Sequence, residues 1–223
     1  MYMKNKAALF PTIFAIVMAI AGLGIPIPGT TGGTPWLTAI HSQTMPDGQV
    51  VNVDNIAFFL WGHQYTVVGQ TTQNTFTPYD WRDFPFYSMI LILLAAIAGV
   101  LSIIVSRSTN ITIRGKEIKT RIPGDIGTTF IGRDIRIGTS MLILVMATLL
   151  MVAGTIYLDY SARMTIIPIL QQNNYIINTG YGFQFMEIGV IGFVLSVVMT
   201  RINTKMVQKA EKEDAEEVEE DIE

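Results

Sequence analysis

Two histidines are the residues of this chain best suited to metal binding or acid–base chemistry. His41 and His63 lie in one stretch of the sequence. The same stretch holds four aspartates, namely Asp47, Asp54, Asp80 and Asp83. Imidazole and carboxylate groups bind divalent cations, but the ligand spacings of known metal motifs such as HExxH do not occur here. The pattern therefore favours two exposed loop histidines over a metal site, and we expect no cofactor.

The residues that usually carry enzymatic chemistry are scarce. The chain has no cysteine, which excludes disulfides, thiolate metal sites and cysteine nucleophiles. No spacing in the sequence pairs a nucleophile with a base. We therefore expect that the protein is not an enzyme.

Glu187 is the one ionisable residue that falls inside an apolar run. Transporters and pumps usually place ionisable side chains inside their helix bundles. Glu187 lies near the start of its run, where headgroups and water reduce the cost of about 2.5–3.5 kcal/mol for a carboxylate at mid-membrane. It contacts an ion or a partner, or it lies among lipid headgroups, which we favour. The scarcity of such groups counts against active transport, although it does not exclude a pore assembled from several chains.

Four apolar runs must position these residues. The runs cover residues 7–25, 84–105, 140–158 and 185–200. A helix that crosses the hydrocarbon core needs roughly 20 apolar residues. The first three runs meet this length, and the fourth meets it only if it begins near Tyr181. The composition agrees, because 15% of the residues are charged, against about 25% in soluble domains. The sequence predicts an α-helical membrane protein with a four-transmembrane-helix bundle.

The first run also resembles a signal peptide. Lys4 and Lys6 form a basic start, and Ala19-Ile20-Ala21 resembles a cleavage site. The apolar stretch, however, is longer than the roughly 7–15 residues of a signal sequence. We therefore favour an uncleaved helix.

Basic residues predict the orientation. Thirteen of the fifteen lie in residues 1–6, 106–139 and 201–223, and the other two are Arg82 and Arg163. Segments next to membrane helices are cytoplasmic where Lys and Arg concentrate. We therefore expect a multi-pass protein of the cell membrane with both termini in the cytoplasm. The basic residues of 106–139 either attract anionic lipid or only fix the topology.

The two remaining segments, residues 26–83 and 159–184, are then extracellular loops. The first is too long for a simple connection and is rich in aromatic residues. Pro46-Asp47-Gly48 is a turn signal between β-prone stretches. We expect three or four antiparallel strands there, and residues 166–170 and 175–177 of the second loop as a further contribution. The two loops would form a small antiparallel extracellular β-sheet.

The cytoplasmic segments carry weaker signals. Isoleucines alternate with polar residues around Gly115-Lys116, which predicts a small hairpin within residues 106–139. The tail, residues 201–223, is basic near the membrane and acidic beyond it. We expect its first part to extend the fourth helix and the rest to be solvated.

Small residues recur at spacings that permit close helix approach. The pairs are Ala15 and Ala19, Ala95 and Gly99, and Gly189 and Gly192. We expect them to pack within the bundle, and homo-oligomer formation is the alternative.

The first outer loop contains a short sequence pattern. Trp36 is followed by Phe59-Leu60-Trp61, and Arg82 stands just before the second apolar run. Together with the order of helices and loops, these residues resemble the claudin and peripheral-myelin-protein superfamily. That family carries a Trp, then Gly-Leu-Trp, then two cysteines in this loop, and a basic residue at the boundary. Here Phe59 replaces the Gly, and Gln64 stands where the first cysteine is expected.

The resemblance implies a strand-bearing outer domain that makes contacts rather than catalysing a reaction. We expect lateral or cell-to-cell contact, barrier formation, or an accessory role in a membrane complex; a channel or transporter subunit is the alternative. The expected partners are membrane lipids and either copies of this chain or other membrane proteins, without nucleic acid. The candidate contact or structural residues are Trp36, Leu60, Trp61, Arg82 and Glu187.

Overall fold

The computed structural model describes residues 6–24, 33–68, 73–107, 111–113, 116–118, 125–130 and 133–220. Its helices are α1 (Lys6–Leu23), α2 (Phe84–Arg107), α3 (Thr139–Met164), α4 (Ile166–Gln172) and α5 (Tyr181–Glu220). Its strands are β1 (Leu37–Thr44), β2 (Val50–Phe58), β3 (Gly62–Val67), β4 (Gln73–Pro78), β5 (Ile111–Ile113), β6 (Lys116–Ile118), β7 (Asp125–Phe130), β8 (Arg133–Gly138) and β9 (Tyr175–Thr179).

Three helical segments among the described residues are long and apolar enough to cross a membrane. They are Phe84–Val105, Ser140–Gln172 and Tyr181–Ile202. The apolar part of α1, Ala8–Leu23, is shorter. At 1.5 Å per residue the 18 residues of the whole helix α1 span about 27 Å, close to the roughly 30 Å of a hydrocarbon core. The chain therefore has the helices of a membrane protein.

The structure differs from the sequence prediction at residues 166–170 and in the tail after residue 200. The expected strand at residues 166–170 is wrong, because these residues form α4. Pro168 is its third residue, a first-turn position where a missing N–H costs nothing, and Leu170 is buried. At the other end of the chain, α5 begins at Tyr181 and continues to Glu220, well past the first part of the tail. The Lys, Glu and Ala residues of this tail are good helix formers.

A five-stranded sheet combines the two long connections, as the sequence predicted. Its strand order is β4-β3-β2-β1-β9, and every pairing is antiparallel. Four strands come from the connection between α1 and α2. The fifth, β9, lies between α4 and α5 and pairs with β1, so that Leu37 faces Thr179 and His41 faces Tyr175. The strand expected at residues 175–177 is therefore confirmed.

Two small hairpins form the connection between α2 and α3. The predicted hairpin at Gly115-Lys116 is confirmed by the pairing of β5 with β6. A second hairpin, β7 with β8, was not predicted. The side chains of residues 106–139, including the basic ones, lie outside the described part of the structure, and so does the backbone of residues 221–223.

The connections define two ends of the helix bundle. α1 and α3 run toward the five-stranded sheet, whereas α2 and α5 start from it. We call this the sheet end. The opposite end, where the two hairpins join α2 to α3, is the hairpin end.

Small residues let the helices approach closely inside the bundle. A Cβ added at Gly192 of α5 would lie 2.9 Å from the Cβ of Ala15 in α1. A Cβ at Gly99 of α2 would lie 2.9 Å from side-chain atoms of both Ile16 and Phe193. The predicted packing of these small residues within the bundle is therefore confirmed. Their use in oligomer formation stays a prediction.

The outward faces of the long helices are apolar. Ile156 of α3 is 62% exposed and Ile191 of α5 is 59% exposed, and Phe10, Val17, Leu101 and Leu149 are exposed as well. Soluble proteins rarely expose apolar patches this continuous. Contact with lipid explains these exposed side chains. A helix can lie in lipid because its backbone hydrogen bonds are made within the helix.

We expect Gly192→Leu to lower the free energy of unfolding by about 1–3 kcal/mol, the usual cost of overpacking. The new side chain would clash with Ala15 and separate α1 from α5. The matched control is Ile191→Leu, which changes an exposed neighbour on the same helix. Thermal unfolding in detergent measures both variants, and equal melting temperatures would contradict close packing at this position.

Candidate functional site

Trp36 lies where the sheet meets the bundle. Its backbone N–H donates to the carbonyl of Phe58 (2.8 Å), and its carbonyl accepts from the N–H of Gly180 (2.9 Å). Its ring lies 5.9 Å from the ring of Phe58 and 6.3 Å, nearly edge-on, from that of Phe84 at the start of α2. With only 2% of its surface exposed, Trp36 joins β1, β2 and α2 and is not part of a contact surface.

Glycines make this junction possible. Gly24, directly after α1, has φ +64, and a Cβ there would lie 2.5 Å from the carbonyl oxygen of Thr34. A Cβ at Gly180, before α5, would overlap the carbonyl of Pro35. The Thr34 hydroxyl donates to the Ala21 carbonyl (2.8 Å). The chain entering β1 is thus held between the end of α1 and the start of α5.

The Phe59-Leu60-Trp61 motif forms the turn between β2 and β3. The Phe59 N–H donates to the Gly62 carbonyl (2.8 Å). Phe59 and Leu60 are fully buried, whereas Trp61 is 42% exposed. The motif therefore divides into a core part and a surface part. Gln64, at the position of the expected cysteine, is buried in β3.

Arg82 lies on the surface just before α2. Its guanidinium carbon is 4.9 Å from the ring centroid of Trp81, a cation–π contact that contributes about 0.5–1 kcal/mol at an exposed site. The structure places this pair beside the first turn of α2, next to Asp83. An exposed Trp and a basic side chain at the end of an apolar helix match the membrane–water interface.

Glu187 lies in the second turn of α5, close to the sheet end, and its side chain is exposed. It does not approach Trp36, Leu60 or Arg82 in any contact that the structure describes. The five predicted residues therefore do not form one site. Trp36 and Leu60 are core residues, while Trp61, Arg82 and Glu187 are separate surface positions.

The structure instead assembles a polar cluster that the sequence did not predict. Asp54 of β2 is 8% exposed and faces His41 of β1 across the sheet. The Tyr65 hydroxyl donates to Asp54 Oδ2 (3.1 Å), and His41 Nδ1 lies 3.6 Å from the same oxygen. The His41 ring lies 5.2 Å from the ring of Tyr175 in β9. We call these four residues the Asp54 cluster.

Charge and burial keep the tyrosines of the Asp54 cluster protonated. Burial, and then the hydrogen bond to the Asp54 carboxylate, raise the pKa of Tyr175 to about 12. The same two causes raise the pKa of Tyr65. Both hydroxyls are therefore hydrogen-bond donors to a buried carboxylate. The cluster links β9, β1, β2 and β3.

His63 lies in a separate place, among aromatic rings. Its ring is 6.0 Å from that of Phe58 and 5.8 Å from that of Tyr79. Burial lowers the pKa of His63, and the nearby Asp83 carboxylate opposes that shift. Within the described ranges, no three His, Asp or Glu side chains form a group that could hold a metal ion.

No protein-family model matches the chain, and no curated protein matches it significantly. Its function must therefore be inferred from its own residues.

The burial of His63 predicts acid sensitivity. The unfolded chain binds a proton at this residue near pH 6.5, whereas the folded chain binds it only at lower pH. The free energy of unfolding therefore falls as the pH drops from 6.5 to the folded-state pKa. His63→Phe keeps a ring between Phe58 and Tyr79 but removes the titration.

We therefore expect the melting temperature of His63→Phe, relative to the wild type, to be higher at about pH 5 than at about pH 8. The wild type and His63→Phe are compared at the same pH, so that the contributions of other titrating groups to the melting temperature cancel. An identical difference at both pH values would show that His63 titrates normally in the folded protein.

Proposed function

We propose that this protein is a non-enzymatic membrane protein that acts through its five-stranded sheet in contacts with other membrane proteins. In this proposal four helices cross the membrane, the sheet end is extracellular, and both termini are cytoplasmic. The observation that carries it is an ordered apolar tip on the sheet, far from the helices.

α1 as a fourth span is supported by its position in the bundle. It packs against α5 and α2, and Phe10, Ile13, Val17 and Ile20 are exposed along its length. A helix about 3 Å shorter than the hydrocarbon core is tolerated by slight thinning of the bilayer. Exposed apolar side chains on all four long helices fit a single surrounding layer of lipid.

The proposed orientation rests on charge. The segments at the hairpin end hold thirteen of the fifteen basic residues, and such segments are usually cytoplasmic. At the sheet end, Trp81 and Arg82 precede α2, and Tyr87, Tyr157, Tyr160 and Tyr181 are exposed. Aromatic side chains concentrate at membrane–water interfaces, so this level fits the outer membrane surface.

The ribbon formed by β1 and β2 extends past its neighbours. β9 pairs with β1 only as far as His41, and β3 pairs with β2 only from Asp54. Among the described residues, 42–52 therefore pair only with one another, as a two-stranded ribbon. The Asp54 cluster lies at its base, where a bulge in β2 shifts the register between His41 and Ser42.

The tip of this ribbon is ordered and apolar. The Met45 N–H donates to the Gln49 carbonyl (2.8 Å), and the Gln49 N–H donates to the Asp47 carboxylate (3.0 Å). Val50 is 68% exposed, and Met45 and Val51 are also exposed. We call Met45, Val50 and Val51 the tip patch, although Val50 and Val51 are consecutive in β2 and therefore lie on opposite faces of the ribbon. Apolar side chains held in a fixed turn fit a protein contact, because binding them orders little further chain.

The resemblance to claudins supports the same role. In that family an outer domain with strands makes lateral or cell-to-cell contacts, and the tip patch would provide such a contact here. Barrier formation and service as an accessory subunit are both forms of this proposal. They differ in whether the partner is a second copy of the chain or another membrane protein.

Site-specific photo-crosslinking in cells that express the chain tests the proposal. A photo-reactive residue replacing Val50 should yield a discrete adduct with a membrane protein or with a second copy. The matched control places the same residue at Thr75, an exposed position of β4 distant in the sheet order from β1. We expect little adduct from Thr75.

A second variant distinguishes a specific protein contact from non-specific crosslinking. Val51→Asp, beside the probe, should reduce the Val50 adduct at least severalfold, because a charge in an apolar contact must be desolvated. Its melting temperature should change little, since Val51 is exposed. Equal adducts from both probe positions, or adducts only with lipid, would rule out the tip patch as a contact.

A further inference from the structure

Hydroxyl-bearing residues from the four long helices line one partly open cavity at the hairpin end of the bundle. The cavity has a volume of about 20 Å³. Its polar lining consists of Thr12 from α1, Ser102 from α2, Ser140 from α3 and Thr200 from α5. Each helix provides one hydroxyl, and apolar side chains complete the wall. This convergence is independent of the sheet and of the proposed function.

A hydrogen-bonded network lies directly beside the cavity. The Thr12 hydroxyl lies 2.7 Å from the Ala8 carbonyl and 2.7 Å from the Ser196 hydroxyl. The Thr200 hydroxyl donates to the Ser196 carbonyl (2.8 Å). A hydroxyl that donates its one proton can accept up to two hydrogen bonds through its lone pairs. The cavity therefore presents acceptors from α1 and α5.

The serines of α2 and α3 complete the set. Ser102 is 3% exposed, and Ser140 is half-buried at the start of α3. A serine hydroxyl rotates freely and can donate to a molecule inside the cavity or accept from it. Two acceptors and two adaptable hydroxyls match what a water molecule needs, since it donates two hydrogen bonds and accepts up to two.

The volume and the polar lining of the cavity fit a water molecule. A cavity holds a water when it has at least about 10–15 Å³ of accessible volume and two to four polar partners. At about 20 Å³, there is room for one water. Divalent cations take six or more oxygen ligands, usually with carboxylates, and the lining has no carboxylate.

We propose that this cavity binds one water molecule that bridges the hydroxyls of Thr12, Ser102, Ser140 and Thr200. The water links all four long helices at the hairpin end. Hydrogen bonds between helices supply part of the association energy in a lipid environment, where burial of apolar surface contributes little. A bridging water serves almost as well as a direct hydrogen bond.

An experimental structure of the full chain, at a resolution that shows ordered solvent, tests the site directly. We expect one solvent peak within about 2.6–3.2 Å of at least three of the four hydroxyl oxygens. An empty cavity would overturn the proposal, and so would one filled by the end of a lipid or detergent chain.

Two serines of α2 provide a matched pair of variants. Ser102→Ala removes a partner of the water, and we expect a lower melting temperature together with loss or weakening of the solvent peak. Ser88 is fully buried on the same helix, and its hydroxyl has no hydrogen-bond partner among the described residues. Ser88→Ala should therefore leave the melting temperature unchanged or raise it.

Equal effects of the two substitutions on the melting temperature, with an unchanged solvent peak in Ser102→Ala, would overturn the proposal. If Ser102→Ala does not fold, Ser140→Ala replaces it, since Ser140 lies near the edge of the bundle. The same peak and the same relative stability are then measured, with the same expected and opposing outcomes.

Discussion

The close passage of Thr34, Pro35 and Trp36 between two helix ends is the contact on which the rest of the structure depends. The sheet reaches the bundle here through hydrogen bonds to Ala21, Gly180 and Gly182. Only glycine leaves room for the chain at Gly24 and Gly180. The buried Trp36 ring then fills the space between β2 and α2.

The bundle and the sheet both contain buried polar groups that need hydrogen-bond partners inside the protein. Inside the bundle, small residues bring helix backbones together, and hydroxyls bond to carbonyls one turn earlier or to each other. In the sheet, a buried carboxylate receives donors from neighbouring strands. The Thr12–Ser196 contact and the Tyr65–Asp54 hydrogen bond each join two elements, so that loss of one element leaves a buried polar group of the other without that partner.

The sequence predicted the elements better than their contacts. Apolar length gave α2, α3 and the start of α5, and turn residues gave the β1–β2 ribbon. The Asp54 cluster was not predictable, because it needs the bulge opposite His41 and the pairing of β9 with β1, and both arise from tertiary structure. The prediction of a strand at residues 166–170 was wrong for a similar reason. The isoleucines there favour strands, but the segment forms a helix whose Leu170 packs in the core. The sequence does not show which of Trp36 and Trp61 is buried. In the fold Trp36 lies in the core and Trp61 lies on the surface.

One helix connects the two ends of the molecule without a break. α5 contains 40 residues and is therefore about 60 Å long. It begins at Tyr181, directly after Gly180, and it carries Thr200 near its middle and acidic residues at its far end. A rigid rod of this length acts as a lever, with about 1 Å of displacement at its tip for each degree of tilt. A change in the tilt of α5 at the sheet end would therefore displace its acidic end, beyond the hairpin end of the bundle.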